Sequence, residues 1–185
     1  FNGRIDEVRI WKKAIDFSTA EGLLWRVPHA YGGGLYGRYL VSAWRLNGDA
    51  TDSVRSNHGS AVGTVTYSGT NAPSFYTRIS ASLKNDGSGG LDYISIPSTA
   101  GLSPAGSYSV EAWVYPTSGG ASTQYQTIAC KGTAVSASTF IYWLGINKSN
   151  GKLRFAPNGN WAGAMESSSI VQLNQWTHVA ATFAV

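Results

Sequence analysis

Apolar positions in this chain recur at every second residue over short runs, and Gly, Pro, Asn and Ser separate the runs. Period-two alternation marks a half-buried β-strand, because successive side chains point to opposite faces. It is clearest at Tyr108–Tyr115. There Tyr108, Val110, Ala112 and Val114 share one face, and Glu111, Trp113 and Tyr115 the other. Residues 1–12 also read as a strand, with Val8 and Ile10 on one face and Glu7, Arg9 and Trp11 on the other. Further short strands are expected at Leu40–Leu46, across Ala61, Val65 and Tyr67, and at Leu91–Ile96, Thr127–Lys131, Thr139–Ile146, Lys152–Phe155, Ser169–Leu173 and Trp176–Phe183. Asn150-Gly151, between two of these runs, predicts a hairpin. One short helix is expected near residues 18–27. Ser18 and Glu21 match a capping box, Leu23, Leu24 and Val27 supply an apolar face, and Pro28 stops it. A Gly-rich linker over 28–37 follows. Eight or more short strands with turn punctuation indicate an all-β fold, a jelly-roll β-sandwich of two antiparallel sheets.

Composition narrows this further. Only 13 % of the 185 residues are charged, about half the usual ~25 %, while 43 % are hydrophobic and seven are Trp. That much apolar surface offsets chain entropy and excludes disorder. The longest apolar run, Phe140–Ile146, is far below the ~20 residues of a membrane span. The net charge of +4 comes from scattered basic residues, the densest being Lys12-Lys13, so the stripe that nucleic acid requires is missing. The single cysteine, Cys130, permits no internal disulfide and reads as a buried small hydrophobe. Low charge with abundant Ser, Thr and Gly fits an exported or virion-surface protein.

Four motifs then carry a resemblance. They are Leu46-Asn47-Gly48-Asp49-Ala50-Thr51-Asp52-Ser53, Tyr93-Ile94-Ser95-Ile96-Pro97, Ser109-Val110-Glu111-Ala112-Trp113-Val114-Tyr115-Pro116 and Trp176-Thr177-His178-Val179-Ala180-Ala181-Thr182-Phe183. In this order, over roughly residues 38–185, they resemble a laminin G-like domain of the concanavalin A-like superfamily in its tandem bacterial form. Phe1–Trp11 resembles that family's last strand. The resemblance therefore implies that residues 1–27 are the closing strand and helix of one domain. Residues 28–37 are then a linker, and 38–185 a jelly roll lacking its last strands. The order has two readings. The chain is a piece of a longer repeat protein, or Phe1–Trp11 completes a sandwich, folded back on its own chain or donated to a neighbouring copy.

Catalytic signatures are missing. Retaining glycosidases pair two carboxyls about 5–5.5 Å apart, and Glu111 stands alone on its strand. No nucleophile elbow, zinc motif or phosphate loop occurs. His178, within a strand, reads as a hydrogen-bonded structural residue. The chain is therefore expected to be non-catalytic. The resemblance implies a calcium ion. Asp49, Asp52 and Asn57 in one loop, with Asp6 if the first strand docks there, are its candidate ligands. Sugars stack on aromatic rings, so Trp161 in a polar loop, its neighbour Asn160, and Tyr125 and Trp143 are the candidate ligand-binding residues. Trp44, Trp113 and Trp176 lie in strand patterns and are expected to pack. The function implied is an extracellular, cell-surface or virion-surface recognition module that binds glycan or a protein partner. The alternatives are an assembly subunit joined by strand exchange and a glycoside-acting enzyme. Asn147-Lys148-Ser149 matches the N-glycosylation pattern.

Overall fold

In the computed structural model, residues 1–17, 37–68, 80–83, 91–117, 124–132 and 140–185 are described. Twelve strands follow in chain order: β1 Gly3–Trp11, β2 Leu40–Trp44, β3 Ser60–Val62, β4 Thr66–Ser68, β5 Ser80–Leu83, β6 Tyr93–Ser95, β7 Tyr108–Pro116, β8 Tyr125–Gly132, β9 Phe140–Asn147, β10 Lys152–Pro157, β11 Met165–Ile170 and β12 Thr177–Phe183. A six-stranded sheet runs β12-β7-β1-β5-β4, with β2 also paired to β1. A four-stranded sheet runs β11-β10-β9-β8, and β3 and β6 form a small third sheet. All pairings are antiparallel. The fold is the expected all-β sandwich.

Its core forms where the inward faces of the two large sheets meet. Tyr108, Val110, Ala112 and Val114 of β7, at most 1 % exposed, join Ile5, Ile10 and Val179 from the same sheet. Tyr142, Leu144, Ile146 and Phe155 of the four-stranded sheet complete this core. The alternation read from the sequence at β7 holds. Trp44 packs into the core as expected, its indole N–H donating to the Asn57 carbonyl at 2.8 Å. Trp113 and Trp176 are half-buried.

The place of β1 bears on the two readings left open for it. Residues 1–11, read either as the tail of a separate domain or as a strand that completes a sandwich, lie in the middle of the six-stranded sheet. One edge of β1 pairs with β7 along its length; the other pairs with β5 at Gly3–Ile5 and with β2 at Val8–Trp11. A β-bulge marks the changeover. Asp6 faces Trp113 and Arg9 faces Glu111, so β1 carries one extra residue there, and Glu7 takes φ 49°. The chain's first strand thus completes its own sheet. The helix expected at 18–27 lies outside the described residues, as does the linker expected at 28–37 except for Gly37, which opens a 3-10 turn.

Smaller differences follow from local geometry. The run across Ala61, Val65 and Tyr67 divides into β3 and β4, because Gly63 turns the chain at φ 85°. β5 was not foreseen. The strand expected at Ser169–Leu173 instead spans Met165–Ile170, where Met165 and Glu166 pair with Phe155 and Arg154, and Leu173 is left exposed. Cys130, expected inside, is exposed. An irregularity between Thr127 and Ala129 inserts Ile128 into β8 and moves Cys130 to the other face. The β9–β10 hairpin forms as expected, with Gly151 at φ 71° and its N–H donating to the Asn147 carbonyl at 2.8 Å.

A chain lacking residues 1–11 leaves β7, β2 and β5 without their shared partner. It is expected to lose cooperative urea unfolding, read by near-UV circular dichroism. Cooperative unfolding at the full-length midpoint would contradict the central placement of β1.

Candidate functional site

Two clusters of chemistry-bearing side chains occupy the outer faces of the two large sheets. The first is centred on Glu111, which is fully buried. One Glu111 oxygen accepts the Trp11 indole N–H at 2.8 Å and meets Arg9 Nη1 at 3.4 Å; the other lies 2.6 Å from His178 Nε2. Arg9 also binds Glu7 at 2.8 Å, and Arg45 approaches Glu7 at 3.7 Å. Glu7, two residues before Arg9, shares the face that carries Arg9 and Trp11. Burial alone raises the Glu111 carboxyl. The His178 hydrogen bond, the Arg9 charge and the Trp11 N–H outweigh it, and the group sits below its ordinary value of 4.5. Residues 12–17 cover this face. The Ile15 N–H donates to Ser109 Oγ, Thr182 Oγ1 donates to the Ile15 carbonyl, and Phe17 lies 5.9 Å from the His178 ring. The cluster joins β1, β7 and β12 beneath a cover, as a tie between strands. His178 is the hydrogen-bonded structural residue expected.

The second cluster lies on the outer face of the four-stranded sheet and gathers three expected ligand-binding residues. Trp143 and Trp161 are 5.0 Å apart at 70°, Tyr125 and Trp161 5.2 Å at 87°, and Tyr125 and Trp143 5.4 Å at 75°. These are edge-to-face contacts of the favourable kind. Two expectations need correction. Trp143 is fully buried, its N–H donating to Thr127 Oγ1 at 3.0 Å, so it is the floor of the cluster and unavailable to a ligand. Its indole folds back over Gly145, where an added Cβ would stand 2.5 Å from the ring; only glycine permits that approach. Trp161, expected in a loop without apolar neighbours, is half-buried against Phe140, Trp143, Tyr125 and Ala164. The exposed Asn160 accepts the Gly163 N–H at 2.8 Å and shapes the loop that carries Trp161.

Sequence reasoning missed the polar rim of this cluster. The Arg154 guanidinium lies 5.2 Å from the Trp161 ring centroid and 5.6 Å from that of Tyr125, and pairs with Glu166 at 3.3 Å. Asn147 and Asn150 donate to the two Glu166 oxygens at 2.7 and 2.9 Å. Those bonds, with Arg154, hold Glu166 below the ordinary carboxyl range. The signal was present in β10, where Arg154 and Ala156 alternate with Leu153 and Phe155. Asn147 of the glycosylation pattern is engaged here, its Oδ1 also accepting the Ser149 hydroxyl at 2.8 Å.

The candidate calcium ligands are engaged by the chain's own donors. Asp52 Oδ1 accepts the Ala43 and Val54 N–H groups at 3.1 and 3.0 Å, and Oδ2 that of Asn57 at 3.2 Å. Backbone donors thus converge on the carboxylate that would have faced the ion. Asn57 Oδ1 accepts the Thr99 hydroxyl, Asp49 caps its own turn through the Thr51 N–H, and Asp6 is buried on β1 with the Glu7 N–H on its Oδ1. Among the described residues, no group of three or more His, Cys, Asp or Glu is placed to hold a metal.

Two outcomes follow. Glu111→Gln removes the charge that Trp11 and His178 bind and leaves Arg9 with Glu7 alone, and is expected to cost about 1–3 kcal/mol in urea unfolding. Because the folded pKa of Glu111 is depressed, its contribution is complete above the ordinary value and is lost as pH falls through the folded one. The wild-type unfolding midpoint is expected to drop from about pH 5 downward, and the Glu111→Gln midpoint to drop less. Calcium chloride is expected to leave the thermal midpoint unchanged; a rise reversed by chelator would overturn the reading of the Asp52 loop.

The laminin G family model described as the concanavalin A-like lectin/glucanases superfamily matches residues 88–184, more than half of the chain, from β6 through β12. Comparison with curated proteins found no match. Comparison with solved structures found none either. The matched stretch contains three of the four motifs noted in the sequence, together with the aromatic cluster and Glu111. This chain belongs to the concanavalin A-like lectin/glucanase superfamily, as a laminin G-like β-sandwich.

Proposed function

We propose that this protein is a non-catalytic recognition module that binds glycan on the outer face of its four-stranded sheet. The observation that carries this reading is the half-buried Trp161 ring, held edge-on by Tyr125 and Trp143 with Arg154 beside it and the Glu166–Asn147–Asn150 group on the rim. A ring fixed by its neighbours loses little freedom when a sugar stacks on it. The rim supplies carboxylate and amide groups for sugar hydroxyls. In this reading the ligand stands on a cell or matrix surface, and the module works outside the cell or on a virion. The buried Glu111 group is unsuited to glycoside hydrolysis, because Arg9, Trp11 and His178 occupy the carboxylate and residues 12–17 cover it. Among the described residues, no helix is long and apolar enough to cross a membrane.

A glycan array screened with the intact chain tests the proposal. Trp161→Ala is expected to weaken a positive glycan by about 1–2 kcal/mol, roughly fivefold to thirtyfold, with the urea midpoint used to confirm folding. Undiminished binding by a folded Trp161→Ala protein, or no glycan bound by the unmutated one, would remove this reading.

A further inference from the structure

A separate feature lies between the sheets. Around β8, the outermost strand of its sheet, a cavity of about 1140 Å³ runs from between the two layers to Tyr125, Trp143 and Trp161 on the outer face. Its walls are apolar: Val8 and Ile10 from β1, Leu83 from β5, Ile94 from β6, Leu102 and Ile128. Small-molecule sites have roughly 300–1,000 Å³, so this is ample for an extended apolar body. Asp92 and Lys131 are the charged groups among its described lining residues. Asp92 is turned to Thr64, accepting its N–H at 2.7 Å and its hydroxyl at 3.1 Å. Lys131 stands at the opening, where its ammonium reaches across to Ser98 Oγ at 2.7 Å. An ammonium has three donors, and Ser98 takes one. Among the described residues, apolar walls with the Lys131 side chain at the entrance complement a long apolar chain ending in an anion.

We infer that this cleft binds a single-chain anionic amphiphile, its acyl chain between the sheets and its carboxylate on Lys131 Nζ. Burial of the chain drives the association, at roughly 25 cal/mol per Å² of apolar surface removed from water. The Lys131 contact sets the direction in which the chain enters. Tyr125, Trp143 and Trp161 also border this cavity, so it adjoins the proposed glycan face; Lys131, which that reading does not use, tells the two apart.

Cys130, the chain's single cysteine, is exposed on the outer side of β8, borders the same cavity and adjoins Lys131, so its alkylation reports occupancy of the Lys131 end. The full-length protein is treated with iodoacetamide while dodecanoate, kept below its micelle concentration, is titrated in. Dodecanol is the neutral comparison. Dodecanoate is expected to slow alkylation about tenfold at saturation, a protection equivalent to about 1.4 kcal/mol. Lys131→Met is expected to weaken dodecanoate about fivefold and leave dodecanol unchanged, the size of an exposed charge pair. Ile128→Trp, which narrows the cleft, is expected to weaken both. Unchanged alkylation with dodecanoate overturns the proposal. So does equal dodecanoate affinity in Lys131→Met. Protection that rises with protein concentration alone, without lipid, assigns the cleft to a second copy of the chain and also overturns it.

Discussion

The buried carboxylate of Glu111 constrains the arrangement of the six-stranded sheet. A charge removed from water costs several kcal/mol unless partners replace its hydration, and here the partners come from two other strands. Arg9 and Trp11 arrive on β1, and His178 arrives on β12. These neighbours require β7 to stand between β1 and β12, the order observed. They also account for the bulge. With one extra residue between Asp6 and Arg9, Ile5 returns to the inward face of Ile10, while Glu7 stays on the face of Arg9 and gives it a second carboxylate. Glu111 and Glu7 then share Arg9, while Arg45 approaches Glu7 from the side. Such a group adds specificity to the pairing, since a slip of one residue would strand a charge.

Fixing β1 in that position has consequences on the opposite face. Ile5 and Ile10 are committed to the inter-sheet core, where Tyr142, Leu144, Ile146 and Phe155 meet them from the other layer. Strand alternation then sends Trp143 and Arg154 outward. β8 follows its partner β9 with the Ile128 insertion, which keeps Thr127 under the Trp143 N–H. Trp143 folds over Gly145, and Trp161 closes over Trp143 from the β10–β11 loop. The aromatic cluster is thus the outward half of the pattern whose inward half makes the core.

Much of this was legible in the sequence. The alternation at Tyr108–Tyr115 gave β7 and both of its faces. The Asn150-Gly151 turn gave the hairpin, and four short motifs gave the family. Two kinds of information were not local. The place of β1 depends on Glu111, about a hundred residues away, and nothing in Phe1–Trp11 alone says which strand it will pair with. Likewise, Trp161 reads as isolated because its neighbours Phe140, Trp143 and Tyr125 come from other strands. The Asp52 loop is ambiguous for a different reason. Asp and Asn close turns by accepting backbone N–H groups, and the same residues ligate calcium; only the donors around Asp52 distinguish the two roles. Cys130 misled because a one-residue insertion in a strand leaves no clear mark in the pattern.

The outer faces of the two sheets have been put to different uses. That of the six-stranded sheet carries the larger charge group, yet residues 12–17 lie over it and spend their backbone groups on Ser109 and Thr182. A ligand there would have to displace the chain's own cover and expose an ion group that is stable because it is enclosed. The face of the four-stranded sheet carries less charge, and its rim is in contact with solvent. Asn160 is exposed, and Arg154 and Glu166 retain 20 % and 25 % side-chain exposure. Its rings are already ordered by mutual packing, so recognition there requires little rearrangement. Charge in this molecule therefore serves the pairing of strands, and the aromatic residues that the low charge content leaves prominent supply the surface proposed to meet a ligand.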